Sequence, residues 1–432
     1  MKWLTAQVGD QHYRVFRGML LVAFFVLAGR IAGAIKEILL AWRYGIGSEV
    51  DVYVFALVLV TWLPSIAASV LNSALVPLIN RTESVQRREF LSELTGATIL
   101  VAIGVLFFLL FVTPLIVPAL ASGLPHSSQA SLADVVRYLA PAGALKLFIS
   151  LFSAQLLAQE RHANTLMEVV PALVLCAFIY FWPGSFDYQP LVWGTLIGIV
   201  LQCFALYYLL KRSVAKTSLV FGFNSPAWEG FFSAFLTLSI GTVIMSLIIL
   251  IDQVLASRVG DGSVATMNYA TRLLALALGL GGTAIARAIL PVLSDRHLTT
   301  QQRAKLARQW SKVLLLVGLM VAMLAWLAGP AVVSLMFERG AFSADDSLKV
   351  SGVFQVAALQ LPFFFSGIVL VQFFASIGRY KIIAVSSVLA VSVKLLIGPF
   401  LISWLGLKGL AISTILVYVA NFCFFSLMIQ KE

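Results

Sequence analysis

Twelve apolar runs, each close to the roughly 20 residues that cross a bilayer core, follow one another along this chain with short links between them. They lie at 18–35, 52–75, 97–121, 136–159, 166–183, 190–210, 232–251, 268–291, 313–335, 350–375, 381–403 and 405–428. Pro64, Pro141 and Pro362 fall inside runs and are expected to kink them. The links leave no room for a sizeable water-soluble domain. Only 11% of the residues are charged and 60% are hydrophobic, with mean hydropathy +0.97, against about 25% charged in a soluble chain. That excludes a soluble enzyme, a disordered scaffold and a nucleic-acid module. The fold class is an all-α polytopic membrane protein of about twelve transmembrane helices.

The net charge of +11 is accounted for by the positive-inside rule. Placing the N-terminus in the cytoplasm gathers Lys2, Arg14, Arg87, Arg88, Lys211, Arg303 and most of the other loop cations on one side, and few face the other, among them Arg137 and Arg258. An even helix count then returns the C-terminus to the cytoplasm. The first run begins near Gly18, after Arg14 and Arg17, and is long enough to stay as a helix instead of being cleaved as a signal. Cys176, Cys203 and Cys423 lie in apolar runs, and the four histidines are scattered through loops, so neither a disulfide framework nor a metal site is expected.

The chain also repeats itself. RYGIGSEVDVY at 43–53 and RVGDGSVATMNY at 258–269 share Gly-x-Gly-Ser, and ALVPLINR at 74–81 matches AILPVLSDR at 288–296 in nearly the same register, close to half the chain length. Six helices per repeat keep both halves in one orientation, a parallel repeat about the membrane normal. The expected organisation is an N-terminal lobe over 1–213, a cytoplasmic linker over 214–231 and a C-terminal lobe over 232–432. Such repeats place a substrate cleft between two bundles that rock.

Ionisable residues at membrane depth cost about 2.5–3.5 kcal/mol each on insertion scales and usually face a cavity or a partner. Arg30, Lys36, Glu37, Asp51, Lys146, Asp252, Arg272, Arg287 and Lys394 are the candidates. Arg30, Gly33 and Glu37 share one helix face. Cations outnumber acids, which suits an anionic ligand, and arginine's fork matches phosphate. Snorkelling or structural ion pairing is the alternative for those near helix ends. No nucleotide loop or hydrolase motif is present, and GLGG at 279–282 reads as close helix packing. No enzyme and no cofactor are expected. Uphill work would draw on a sodium or proton gradient or on the membrane potential, with Asp252 the candidate coupling site.

GRIAGAIKEILLAWRYGIGSEVD at 29–51, IDQVLASRVGDGSVATMNYATRLLALALG at 251–279, AILPVLSD at 288–295 and MFERGAFSADD at 336–346 resemble the MurJ/MviN family. That family flips the peptidoglycan precursor lipid II and belongs to the MOP superfamily, with the MATE exporters. The resemblance implies cavity roles residue by residue. Arg30 matches the family's first-helix arginine, Lys36 stands for a second arginine and Glu37 for an aspartate. Asp51 matches the acid after the Gly-x-Gly turn. Arg272 matches the arginine of a Tyr-Ala-Asp-Arg string whose aspartate is here Thr271. Asp252 is similar to part of a sodium site in some members. TWLPSIAAS at 61–69 lacks the basic pair usual in the second helix, most members have fourteen helices, and Lys394 intrudes in AVSSVLAVSVKLLIGPF, where an ammonium can replace a bound cation.

The expectation is a bacterial inner-membrane flippase for an undecaprenyl-diphosphate-linked glycan. Arg30, Lys36 and Arg272 would hold the diphosphate, and Asp51 would orient or neutralise that cluster. Its partners would be that glycan, membrane lipids and cell-envelope glycan-assembly proteins, with no nucleic acid. The alternatives are an O-antigen or exopolysaccharide flippase, a MATE-type antiporter and a non-transporting scaffold.

Overall fold

The computed structural model describes residues 24–81, 83–159, 163–184, 187–212, 219–295 and 297–431. The start of the first apolar run (18–23), linker residues 214–218 and the cations Lys2, Arg14, Arg17, Arg161, Lys216 and Arg296 lie outside them.

The described chain is helical, and each of the twelve apolar runs, over its described residues, falls in a helical stretch. These are α1 (24–44), α2 (Ser48–Arg81), α3 (Val85–Leu120), α4 (His126–Ala158), α5 (Thr165–Phe181), α6 (Gln189–Lys211), α7 (Ala227–Ser257), α8 (Ser263–Leu293), α9 (Thr300–Phe337), α10 (Ala344–Ser376), α11 (380–405) and α12 (407–428). Among the described residues nine helical stretches are long and apolar enough to cross a membrane. The difference from twelve has three sources. α1 carries Arg30, Lys36, Glu37 and Arg43 in its 21 described residues, α5 is short, and α11 and α12 run together across Gly406.

Proline and glycine set the irregularities. Pro114 lacks the N–H that would reach back to Leu110, and the ladder there loosens into a π turn over Phe108–Val112. Pro362 does not kink a continuous helix. α10 is interrupted at Leu359–Gln360, and Pro362 opens its second segment, where a missing donor costs nothing. Gly406 (φ 57°) reverses the chain between α11 and α12.

The repeat is visible in helix order. The two Gly-x-Gly-Ser turns open α2 and α8, six helices apart, and Pro77 and Pro291 lie near the ends of those same helices. The chain forms two compact units. The first comprises residues 1–40, 60–114 and 134–239, and the second 41–59, 115–133 and 240–432. Within the first, Leu75, Phe90, Leu151, Leu156 and Leu206 bury around Trp228 and Phe231 at the start of α7, so helix begins inside the stretch expected to be linker. Within the second, Leu293, Ala304, Val369, Phe373, Phe374 and Phe425 form the core. Leu316, Met320, Met323, Leu324 and Leu327 of α9 stay exposed, an apolar band that water would not tolerate and lipid solvates.

Candidate functional site

In the first unit, α1 supplies the polar residues. Lys36 Nζ lies 2.8 Å from Glu37 Oε1, and Glu37 is buried. Neighbouring residues on a helix point about 100° apart, so this pair closes only because the long lysine stem bends around the helix. Lys146 of α4 feels both Lys36 and Glu168, which lies in α5. Lys36 and Glu37 also act on Cys176 of α5. Three helices therefore bring Lys36, Glu37, Lys146 and Glu168 into one neighbourhood, with half-buried Arg30 almost two turns earlier on the Glu37 face of α1. Glu168 was not among the expected residues. The signal for it was an acid only two positions into the apolar run at 166–183.

The second unit interlocks the repeated turns. Asp51 of α2 is fully buried, and its two oxygens accept from the backbone N–H of Gly262 and of Ala265, both at 2.6 Å. Gly262 is the N-cap residue of α8 and has no side chain to cap it. Asp51 supplies that cap from another helix, and its negative charge faces the positive end of the α8 dipole. The Tyr269 hydroxyl returns the contact, donating to the carbonyl of Gly45 at 3.1 Å. The structure thus gives Asp51 a role that was not among the expected ones, that of holding a helix terminus through both of its oxygens. The turn depends on Gly262, which sits at φ 77° with Ile46 Cγ2 2.5 Å from where a Cβ would be. Gly262→Ala should cost about 1–3 kcal/mol through the left-handed backbone and the clash. A lower thermal unfolding midpoint in detergent would show it, and an unchanged one would contradict this account of the turn.

Also in the second unit, Lys394 of α11 is wholly buried with its Nζ 2.6 Å from Asp252 Oδ1 of α7. The same ammonium donates to Thr414 Oγ1 at 2.6 Å and to the Leu410 carbonyl at 3.4 Å, both on α12. Arg272 is exposed on α8, and its Nε donates to Asn268 Oδ1 at 3.3 Å. Arg287 is exposed farther along the same helix. Thr271, in the place of the family's aspartate, turns its hydroxyl back to the Met267 carbonyl.

A polytopic helical membrane protein built on an internal repeat, with ionisable side chains buried inside its apolar helices, is the class of protein these features define. The chain belongs to the lipid II flippase MurJ family, whose model matches residues 40–432. It is 24% identical over 417 residues to the probable lipid II flippase MurJ of Thermotoga maritima, covering 93% of this chain and 83% of that protein. It is 25% identical over 382 residues to the lipid II flippase MurJ of Burkholderia cenocepacia, covering 84% of this chain and 72% of that one. Its fold is similar to a lipid II flippase MurJ in an inward closed conformation, with TM-score 0.81, 18% identity, and 95% and 87% of the two chains covered. A multidrug resistance MATE transporter in an inward-facing conformation follows at TM-score 0.74 and 15% identity, with 93% and 95% covered.

Proposed function

We propose that this protein carries lipid II across the bacterial inner membrane, with both termini in the cytoplasm, and that Arg30, Lys36 and Arg272 bind the diphosphate that joins lipid to sugar. The observation that carries the reading is the match to the lipid II flippase family over residues 40–432, on a chain that keeps these cations inside apolar helices. Diphosphate is the feature common to every polyprenyl-linked glycan, and guanidinium groups answer it with paired donors at fixed geometry. Lys146 adds a fourth cation in the first unit and Arg287 a further one in the second. Glu37 pairs with Lys36, and Glu168 lies in the neighbourhood of Lys146. Asp51 has no place in this ligand set.

A charged hydrogen bond to phosphate contributes about 1.5–3 kcal/mol, or roughly 10- to 100-fold in an equilibrium constant. Arg30→Ala and Arg272→Ala should each lower lipid II transport by that factor with normal membrane insertion. The test is growth of bacteria depleted of their own lipid II flippase and rescued with the wild-type chain or either variant. Rescue by all three would overturn the assigned roles. No rescue by well-expressed wild type would move the substrate to another lipid-linked glycan, such as an O-antigen or exopolysaccharide unit. The segment TWLPSIAAS at 61–69, which has no basic residue, is the feature that favours this second reading.

A further inference from the structure

We infer that this protein provides its own cation at the Asp252 site: the Lys394 ammonium fills the place a sodium ion would take, and transport runs without sodium. The residues around Lys394 Nζ are a carboxylate (Asp252), a hydroxyl (Thr414) and a backbone carbonyl (Leu410). Oxygen donors of these three kinds, converging from different helices, are what a hard cation requires. An ammonium has three donors and no acceptor, and here it donates to Thr414 and Leu410 and forms an ion pair with Asp252. The set is complete without a metal, and a metal at the same centre would have to expel the lysine.

The fold commits the lysine to this place. Gly398 lies one turn beyond Lys394, and a Cβ there would come within 2.9 Å of Leu255 Cδ1, so α11 approaches α7 closely beside Asp252. Lys394 is wholly buried, so its stem is packed into the site and its ammonium has no route to solvent of its own. A buried carboxylate needs a countercharge, and a tethered one loses no translational freedom on binding. Its effective concentration exceeds that of an ion in solution. A cation that cannot leave also cannot be carried across, so this site transfers no energy from a sodium gradient. Asp252, Lys394 and Thr414 instead join α7, α11 and α12.

Thermal unfolding of the purified full chain in sodium, potassium and choline chloride at equal ionic strength tests the inference, and this readout is independent of the proposed substrate. Equal midpoints are expected for the wild type, and equal lipid II transport rates in proteoliposomes. A midpoint or rate that rises specifically with sodium would overturn it. Lys394→Ser should unfold several degrees lower in choline and recover part of that loss in sodium, because removing the tethered cation opens a site for a free one. The same variant combined with Asp252→Asn should ignore sodium. If Lys394→Ser does not fold, Lys394→Met with Asp252→Asn supplies a neutral pair that should fold and be equally indifferent. A sodium response in either doubly substituted chain would place the ion elsewhere and defeat the assignment.

Discussion

Glu93→Ala should lower the stability of the first unit by about 3 kcal/mol and free the segment that leads into the second repeat. Glu93 belongs to α3 and is buried, and its carboxylate collects three donors from more than 130 residues away. Oε1 accepts from the Asn224 N–H at 3.0 Å, and Oε2 from the Ser225 N–H at 3.1 Å and the Trp228 Nε1–H at 2.6 Å. Each buried donor left unpaired costs roughly 1–3 kcal/mol. A cavity of about 470 Å³ lined by Arg88, Ser92, Val220 and Asn224 adjoins the site. Water entering from there can recover part of the loss, which is why the expected total sits at the low end of three such penalties.

Apolar packing reinforces the clamp. The Trp228 ring lies 5.1 Å from Phe90 and 4.8 Å from Phe223, centre to centre. Gly96, one turn after Glu93, lets the Val220 carbonyl lie where a Cβ would stand. Glu93→Gln keeps one acceptor and turns an amide toward the other donors, so it should lose about half as much. Gly96→Ala should unseat the same segment without touching any charge. Thermal unfolding and limited proteolysis across residues 219–226 are the measurements. Wild-type midpoints and wild-type protease resistance in both Glu93→Ala and Gly96→Ala would show that the clamp contributes nothing.

Helices were legible in the sequence because lipid imposes a single requirement on every span, length and apolarity together. Sites were legible only where the chemistry was out of place. Lys394 inside an apolar run announces itself, and so do Arg30 and Lys146. Thr414 does not, since a threonine in a helix usually bonds its own backbone, and its own hydroxyl also reaches back to Leu410. Glu93 lies just before the apolar run at 97–121, where a solvated acid is the ordinary case, and nothing local reveals its partners at 224–228. Asp51 was visible as an acid in a repeated turn, but a ligand contact and a helix cap both call for an acid there. Only its distance to Gly262 and Ala265, more than 200 residues away in sequence, separates the two.

Asp51→Ala should cost about 3 kcal/mol in the second unit, and the loss should fall selectively on the state in which the two repeated turns interlock. Two buried N–H groups, of Gly262 and Ala265, lose charged acceptors at 2.6 Å, at roughly 1–3 kcal/mol each, and the α8 terminus loses the charge opposite its dipole. No water replaces the acceptor, because Asp51 has no exposed surface. Asp51→Asn keeps one acceptor and faces the other N–H with a donor, so about half the loss is expected. Any state in which these turns part contains neither hydrogen bond. Removing the carboxylate therefore raises that state's population by close to the whole 3 kcal/mol, on the order of a hundredfold, since each 1.4 kcal/mol is tenfold. A cysteine placed at Ser263, buried beside Gly262 in the interlocked turn, reports the change directly. Its reaction with a membrane-impermeant maleimide should accelerate on the Asp51→Ala background and by less on Asp51→Asn, while tight Tyr269–Gly45 contact keeps it slow in the parent. Equal labelling on all three backgrounds would mean that the turns separate at a rate Asp51 does not govern, and that the carboxylate stabilises α8 without holding the turns together.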